Sequence, residues 1–171
     1  QFVEAAFYTW LAYGLYKMKD VTSTRYYDWV ITTPMMLLAT IIYFKYLESS
    51  EVFTFTEFIS NNIYNIGLIF VYNWLMLLFG YLGETKKINM NLGIFIGFIF
   101  FGLLFQNIYE NYTTTEGAIQ LYTFLIVVWS LYGVAAMMST NLKNLMYNIL
   151  DIISKNFYGL FIFHKILQVA N

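Results

Sequence analysis

Residues 142–167 read LKNLMYNILDIISKNFYGLFIFHKIL, an apolar run with a lysine, Lys155, near its centre and an aspartate, Asp151, one helical turn earlier. At about 1.5 Å of rise per residue, Lys155 lies roughly 20 Å from either end of the run, too far for its side chain to reach the headgroups of a bilayer. An ionisable group at that depth costs about 2.5 to 3.5 kcal/mol on insertion scales and is by default the mark of a functional site. Asp151, at i−4, faces the same side as Lys155. The pair therefore reads either as a buried ion pair that fixes helix packing or as a charge put to use, and the rest of the chain has to decide.

The chain is 60% hydrophobic and 11% charged, and its apolar residues fall into runs at 2–16, 29–44, 63–82, 92–105, 119–138 and 142–167. Most of these approach or exceed the roughly 20 residues that a spanning helix needs. The connections at 17–24, 47–56, 83–91, 110–116 and 139–141 are short and polar. This pattern predicts six spanning helices in one membrane-embedded domain over residues 1–171, an integral multi-pass protein with membrane lipid as its surroundings. The first run begins abruptly at Gln1 with no initiator methionine, so a leading helix is expected to be missing. A secretory signal would show a basic start and a small-residue cleavage site, and neither is present. With no cysteine, disulfides, thiolate metal sites and cysteine nucleophiles are excluded together. The single histidine, His164, argues against haem or zinc. No phosphate-binding glycine loop and no basic patch for nucleic acid are present, and an enzymatic role is not expected.

The run at 29–44 is preceded by a second set of polar residues. Arg25, Asp28 and Thr32 recur at i, i+3 and i+7, which places a cation, an anion and a hydroxyl on one helix face. Such a face needs a buried polar partner, and Asp151 with Lys155 supplies one: two cations and two carboxylates in one low-dielectric cluster. Pro34, the one proline, interrupts the helix ladder, and Thr32 or Thr33 is expected to satisfy the carbonyl it frees. Lysine forms imines with carbonyl ligands, and an amine held against two carboxylates suits a protonated imine. Trp29, Met36, Met76, Trp129 and Tyr132 are available to wall a long apolar cavity beside it.

The segment Arg25-Tyr26-Tyr27-Asp28-Trp29-Val30-Ile31-Thr32-Thr33-Pro34, with Asp151-Ile152-Ile153-Ser154-Lys155, closely resembles the third and seventh helices of microbial (type 1) rhodopsins. Residues 76–84 are similar to the fourth helix of proteorhodopsins and residues 129–132 to the sixth, so the resemblance covers essentially the whole chain. It implies an all-α seven-helix bundle whose first helix is absent here, with residues 1–16 as the second. It further implies all-trans-retinal bound covalently on Lys155 as a protonated Schiff base, with Asp28 and Asp151 as counterions. Asp28 would be the primary proton acceptor, with Thr32 hydrogen-bonded to it and Arg25 below. The implied retinal pocket is Trp29, Thr33, Met36, Met76, Gly80, Trp129, Tyr132, Gly133, Ala136 and Ser154. Met36 stands at the position where proteorhodopsins tune colour, and methionine there in place of glutamine implies green absorption.

The chain departs from the family at several positions. Pumps of this family usually carry an internal proton donor eleven residues after the acceptor, where this chain has Ala39; Glu4 is the candidate substitute. Gly133 replaces a usual proline and Ala136 a bulky aromatic, which implies a looser pocket. Asn73 replaces an acid often found in relatives and is expected to hydrogen-bond Thr33. On the last helix Asn144, Asn148, Asp151 and Lys155 form a polar stripe at spacings of four, three and four, and Ser154-Lys155-Asn156 is similar to the sequence around the retinal lysine of channelrhodopsins. Rhodopsins of giant algal viruses look most alike.

These features favour a light-gated cation channel, with Glu4, Asn73, Asn148 and Asn156 as candidate pore or gate residues. The alternatives are an outward light-driven proton pump of slow turnover and a sensory photoreceptor. A transported cation or proton and a homo-oligomer, trimer or pentamer, are the expected partners. The resemblance places the loops at 17–24, 83–91 and 139–143 outside, although Lys17, Lys19, Lys86, Lys87 and Lys143 in those loops point the other way by the positive-inside rule. The family orientation is kept on the expectation that residues before Gln1 carry the deciding charges.

Overall fold

The computed structural model describes residues 5, 6, 9, 21–49 and 53–170. Its helices are α1 (Arg25–Glu48), α2 (Phe55–Glu84), α3 (Met90–Tyr112), α4 (Glu116–Ala136), α5 (Thr140–Asp151), a π-helical segment (Ile152–Phe157) and α6 (Tyr158–Ala170). No strand occurs among the described residues. Helices α1 to α4 are each long and apolar enough to cross a membrane. The run from α5 through the π-helical segment into α6 continues without a break. Of the first apolar run, residues 5, 6 and 9 are described, and all three are helical. The protein is a multi-pass integral membrane protein.

Local chemistry fixes where the helices start. Thr54 accepts a hydrogen bond from the Glu57 amide at 3.2 Å, and the threonine and the glutamate three residues on have the spacing of a capping box. This start carries α2 eight residues beyond the apolar run read at 63–82. Asn89 caps α3 through the Asn91 amide at 2.9 Å, and Thr115 caps α4 through the Ala118 amide at 3.2 Å. Each of these side chains satisfies a helix-end N–H that has no partner within its own helix.

Packing is set by small residues inside and apolar ones outside. A Cβ on Gly93 would stand 2.7 Å from the Phe79 carbonyl oxygen, so α3 approaches α2 to a distance that only glycine allows. Leu37, Ile41, Phe44, Ile69, Leu104 and Phe105 fill the interior. Tyr64, Phe95, Leu160 and Phe163 are more than half exposed on the outer faces, as expected of helices that are apolar all round and meet lipid. The bundle's two ends are distinct in what crosses them. At one end Lys143 of α5 holds Glu84 of α2 through two bonds of 2.9 and 3.0 Å, and Thr22 donates to Asn144 at 3.3 Å.

Pro34 is resolved differently from the expectation. Its missing N–H frees the carbonyl of Val30, which accepts the indole N–H of Trp74 on α2 at 3.0 Å. Thr32 and Thr33 donate instead to the carbonyls of Asp28 and Trp29 in their own helix, at 3.0 and 2.7 Å. Both hydroxyls already have an acceptor at i−4, so the freed carbonyl takes its donor from the neighbouring helix.

Candidate functional site

The face made by Arg25 and Asp28 on α1 meets the last helical run at its midpoint. Lys155 Nζ lies 2.7 Å from Asp28 Oδ2 and 3.3 Å from Asp151 Oδ1, and Arg25 Nη1 lies 3.3 Å from Asp151 Oδ2. Asp151 thus stands between the two cations, and Asp28 faces Lys155. All four side chains are buried, Arg25 and Asp151 to 1% exposure. Two positive and two negative charges cancel, which is what allows them together in a medium that penalises any one alone.

Hydroxyls and amides complete the cluster. Tyr132 donates to Asp151 Oδ1 at 2.8 Å. With its proton so used, it accepts from Ser154 Oγ, also at 2.8 Å. Arg25 Nη2 donates to Asn148, and the Arg25 guanidinium lies 5.9 Å from the centre of the Tyr147 ring. The Thr32 hydroxyl bonds chiefly to the Asp28 backbone, its distance to the Asp28 carboxylate being 3.5 Å. The expected bond to that carboxylate is therefore weak, because the i−4 carbonyl is the nearer acceptor. Asp28 Oδ1 is buried with no hydrogen-bond partner among the described residues.

Lys155 opens on an apolar cavity. Trp29, Thr33, Met36, Met76, Gly80, Trp129, Tyr132, Gly133, Ala136 and Ser154 all line it. Glycines make the room. A Cβ on Gly80 would meet the Tyr26 hydroxyl at 2.8 Å, and one on Gly133 would run into the ring of Phe98. The looseness expected beside Gly133 is thus taken up by Phe98 from α3. The residues suit a long apolar carbonyl compound: a primary amine on the wall, carboxylates to hold the positive charge of its condensation product, aromatic walls, and in Asp28 Oδ1 a buried acceptor still to be used.

The remaining candidates are spread over the bundle. Asn73 donates to Thr33 Oγ1 at 2.8 Å between α2 and α1, Asn148 belongs to the Arg25 side of the cluster, and Asn156 is half-buried in the π-helical segment. Glu4 lies outside the described residues. The sequence reading passed over Tyr147, which stacks on Tyr132 with centroids 5.7 Å apart and meets Trp29 edge-on at 5.1 Å. Its spacing of four before Asp151 and eight before Lys155 put it on the same face and was the available signal. It also missed the α3 wall of Gly93, Gly97, Phe98 and Phe101, for which no local signal existed.

A family model described as bacteriorhodopsin-like protein matches residues 1–169. Among solved structures, the chain is similar to one titled crystal structure of viral rhodopsin OLPVRII, at 32% identity and a TM-score of 0.87, covering 98% of this chain and 78% of that one. No curated protein matches the chain.

Proposed function

The chain belongs to the bacteriorhodopsin-like family, and from that membership we propose that it is a light-gated cation channel whose retinal is carried by Lys155. One observation carries this reading: a buried amine lies 2.7 Å from one carboxylate and 3.3 Å from a second, on the wall of an apolar cavity, at the inner end of a polar stripe. When bound, all-trans-retinal supplies the light absorption and the change of shape that the polypeptide cannot.

The residues divide the remaining work. Trp29, Trp129 and Tyr132 confine the apolar body of the ligand and exclude water, and Met36 and Met76 close the wall. Asp28 and Asp151 hold the positive charge at Lys155 Nζ, and Asp28 Oδ2 is placed to take a proton from it. Moving that proton discharges both partners and alters the field on Arg25 and Asp151, since the coupled groups titrate together. Asn144, Asn148 and Asp151, with Thr22 and Arg25 opposite, supply donors and acceptors from the cluster to one end of the bundle. These are the groups along which water and an ion would pass.

A slow outward proton pump is the second reading, favoured by the short contact between Lys155 and Asp28. Photocurrent measured against voltage in cells given retinal, with a Lys155→Ala control, separates them. A channel gives a retinal-dependent current that reverses sign with the driving force. A current that stays outward at every voltage would replace this reading with the pump.

A further inference from the structure

Beyond Lys155, on the side away from Arg25, apolar residues of α1 and α6 are buried. Their buried positions include Leu37, Leu38, Ile41, Phe44 and Ile162, which offer an ion nothing to bind. Set among them are Thr40, 1% exposed, and Tyr158, 4% exposed, joined by a hydrogen bond. Its direction follows from the neighbouring contacts. Thr40 Oγ1 donates its one proton to the Met36 carbonyl at 2.8 Å, so Tyr158 is the donor to Thr40. The chain of bonds therefore ends on the backbone of α1. It joins two helices, and among the described residues no hydrogen bond continues from Tyr158 to another polar group, which is the form of a fastening and not of a proton wire.

Its position links it to the site. Met36, whose carbonyl anchors the bond, lines the cavity. Tyr158 is the first residue after the π-helical segment that carries Lys155, so a displacement of the Lys155 backbone is passed directly to the Tyr158 ring. We propose that the bond from Tyr158 to Thr40 is the tie that holds the apolar half of the bundle shut, and that its release admits water and an ion past Lys155. The inference rests on the light-driven ion path proposed above.

The test uses the full chain in lipid vesicles and does not depend on pigment. The chain has no cysteine, so Leu37→Cys, at a position 1% exposed, provides a single thiol inside the closed half. Ile41→Cys, on the same face and fully buried, serves if the first variant does not fold. The rate of reaction in the dark with a small cationic methanethiosulfonate reports opening. Tyr158→Phe and Thr40→Val should each raise that rate about fivefold, the size of one net hydrogen bond, and the double variant should raise it no further. Thr40→Ser should restore the parental rate, and a thiol at Leu104 on α3 should stay unreactive in every background, which separates local opening from unfolding. Unchanged rates, or two increments that multiply, would overturn the tie. Absence of a retinal-dependent visible band in the parent would instead overturn the function proposed above, whatever the thiol rates show.

Discussion

Lys155 illustrates how a costly residue is kept in a membrane. Its amine is matched by Asp28 and Asp151, and Arg25 balances the second carboxylate, so removing one member leaves an uncompensated charge. For a buried set of this kind the loss is about 3 to 5 kcal/mol. The two carboxylates are not equivalent, because Asp28 is the nearer to Lys155 and Asp151 is shared with Arg25 and Tyr132. If a positive charge at Nζ moves away from the carboxylates on excitation, the nearer carboxylate holds the ground state lower and the absorption at shorter wavelength. Asp28→Asn should therefore shift the visible band to the red, and by more than Asp151→Asn does; equal shifts, or a larger one for Asp151, would show that charge is shared differently. Met36 makes a separate prediction. The parent pigment should absorb in the green and Met36→Gln should move it toward the blue, whereas a parent maximum in the blue would remove Met36 from any part in colour.

Pro34 makes α1 depend on another helix. Trp74 donates to the carbonyl that Pro34 frees, and without that donor a backbone acceptor is left unpaired in lipid. Trp74→Phe keeps an aromatic ring but removes the N–H, and should lower stability by about 1 to 3 kcal/mol, read from the midpoint of detergent or thermal unfolding; an unchanged midpoint would show that the carbonyl finds another donor. This contact also shows what could be read from the sequence and what could not. The spanning runs, the shared face of Arg25 and Asp28, and the stripe through Asn148, Asp151 and Lys155 are periodic, and period is legible locally. The partner of Val30, the α3 wall at Gly97 and Phe98, and the π-helical turn around Lys155 arise from how helices meet. Ile152–Phe157 contains nothing that distinguishes a wide turn from an ordinary one. The bond expected from Thr32 to the Asp28 carboxylate is long for a related reason: a helical threonine has a backbone carbonyl at i−4 within reach, and that competes with any side chain.

Across the whole bundle, polar groups are unevenly distributed about Lys155. One half carries Arg25, Asn148, Asn144 and Thr22, and is closed at its rim by the bond of Lys143 to Glu84, whose side chains are 8% and 7% exposed. Among the described residues the other half carries the bond of Thr40 to Tyr158, that of Asn73 to Thr33 and polar groups near its rim. Lys143→Met alone should destabilise the bundle by about 3 to 5 kcal/mol by stranding Glu84, and Lys143→Met with Glu84→Gln by clearly less; a double-variant loss equal to the sum of the losses of Lys143→Met and Glu84→Gln would mean that the pair does not interact energetically. The orientation expected from the family has the Lys143 rim outside, against the lysine count of the loops. Protease added to sealed, oriented vesicles should leave the loop around Glu48 and Thr54 intact from outside, and cleavage there would reverse the orientation.

Lys155 is the residue proposed to carry the light-absorbing group, and this is the assignment on which the function rests. It is tested most directly by forming the pigment with all-trans-retinal, reducing it with borohydride, and mapping the modified peptide by mass spectrometry. We predict a single retinyl adduct on the peptide that contains Lys155, lost together with the visible band in Lys155→Ala. An adduct on any other lysine, or a visible band that survives Lys155→Ala, would contradict it.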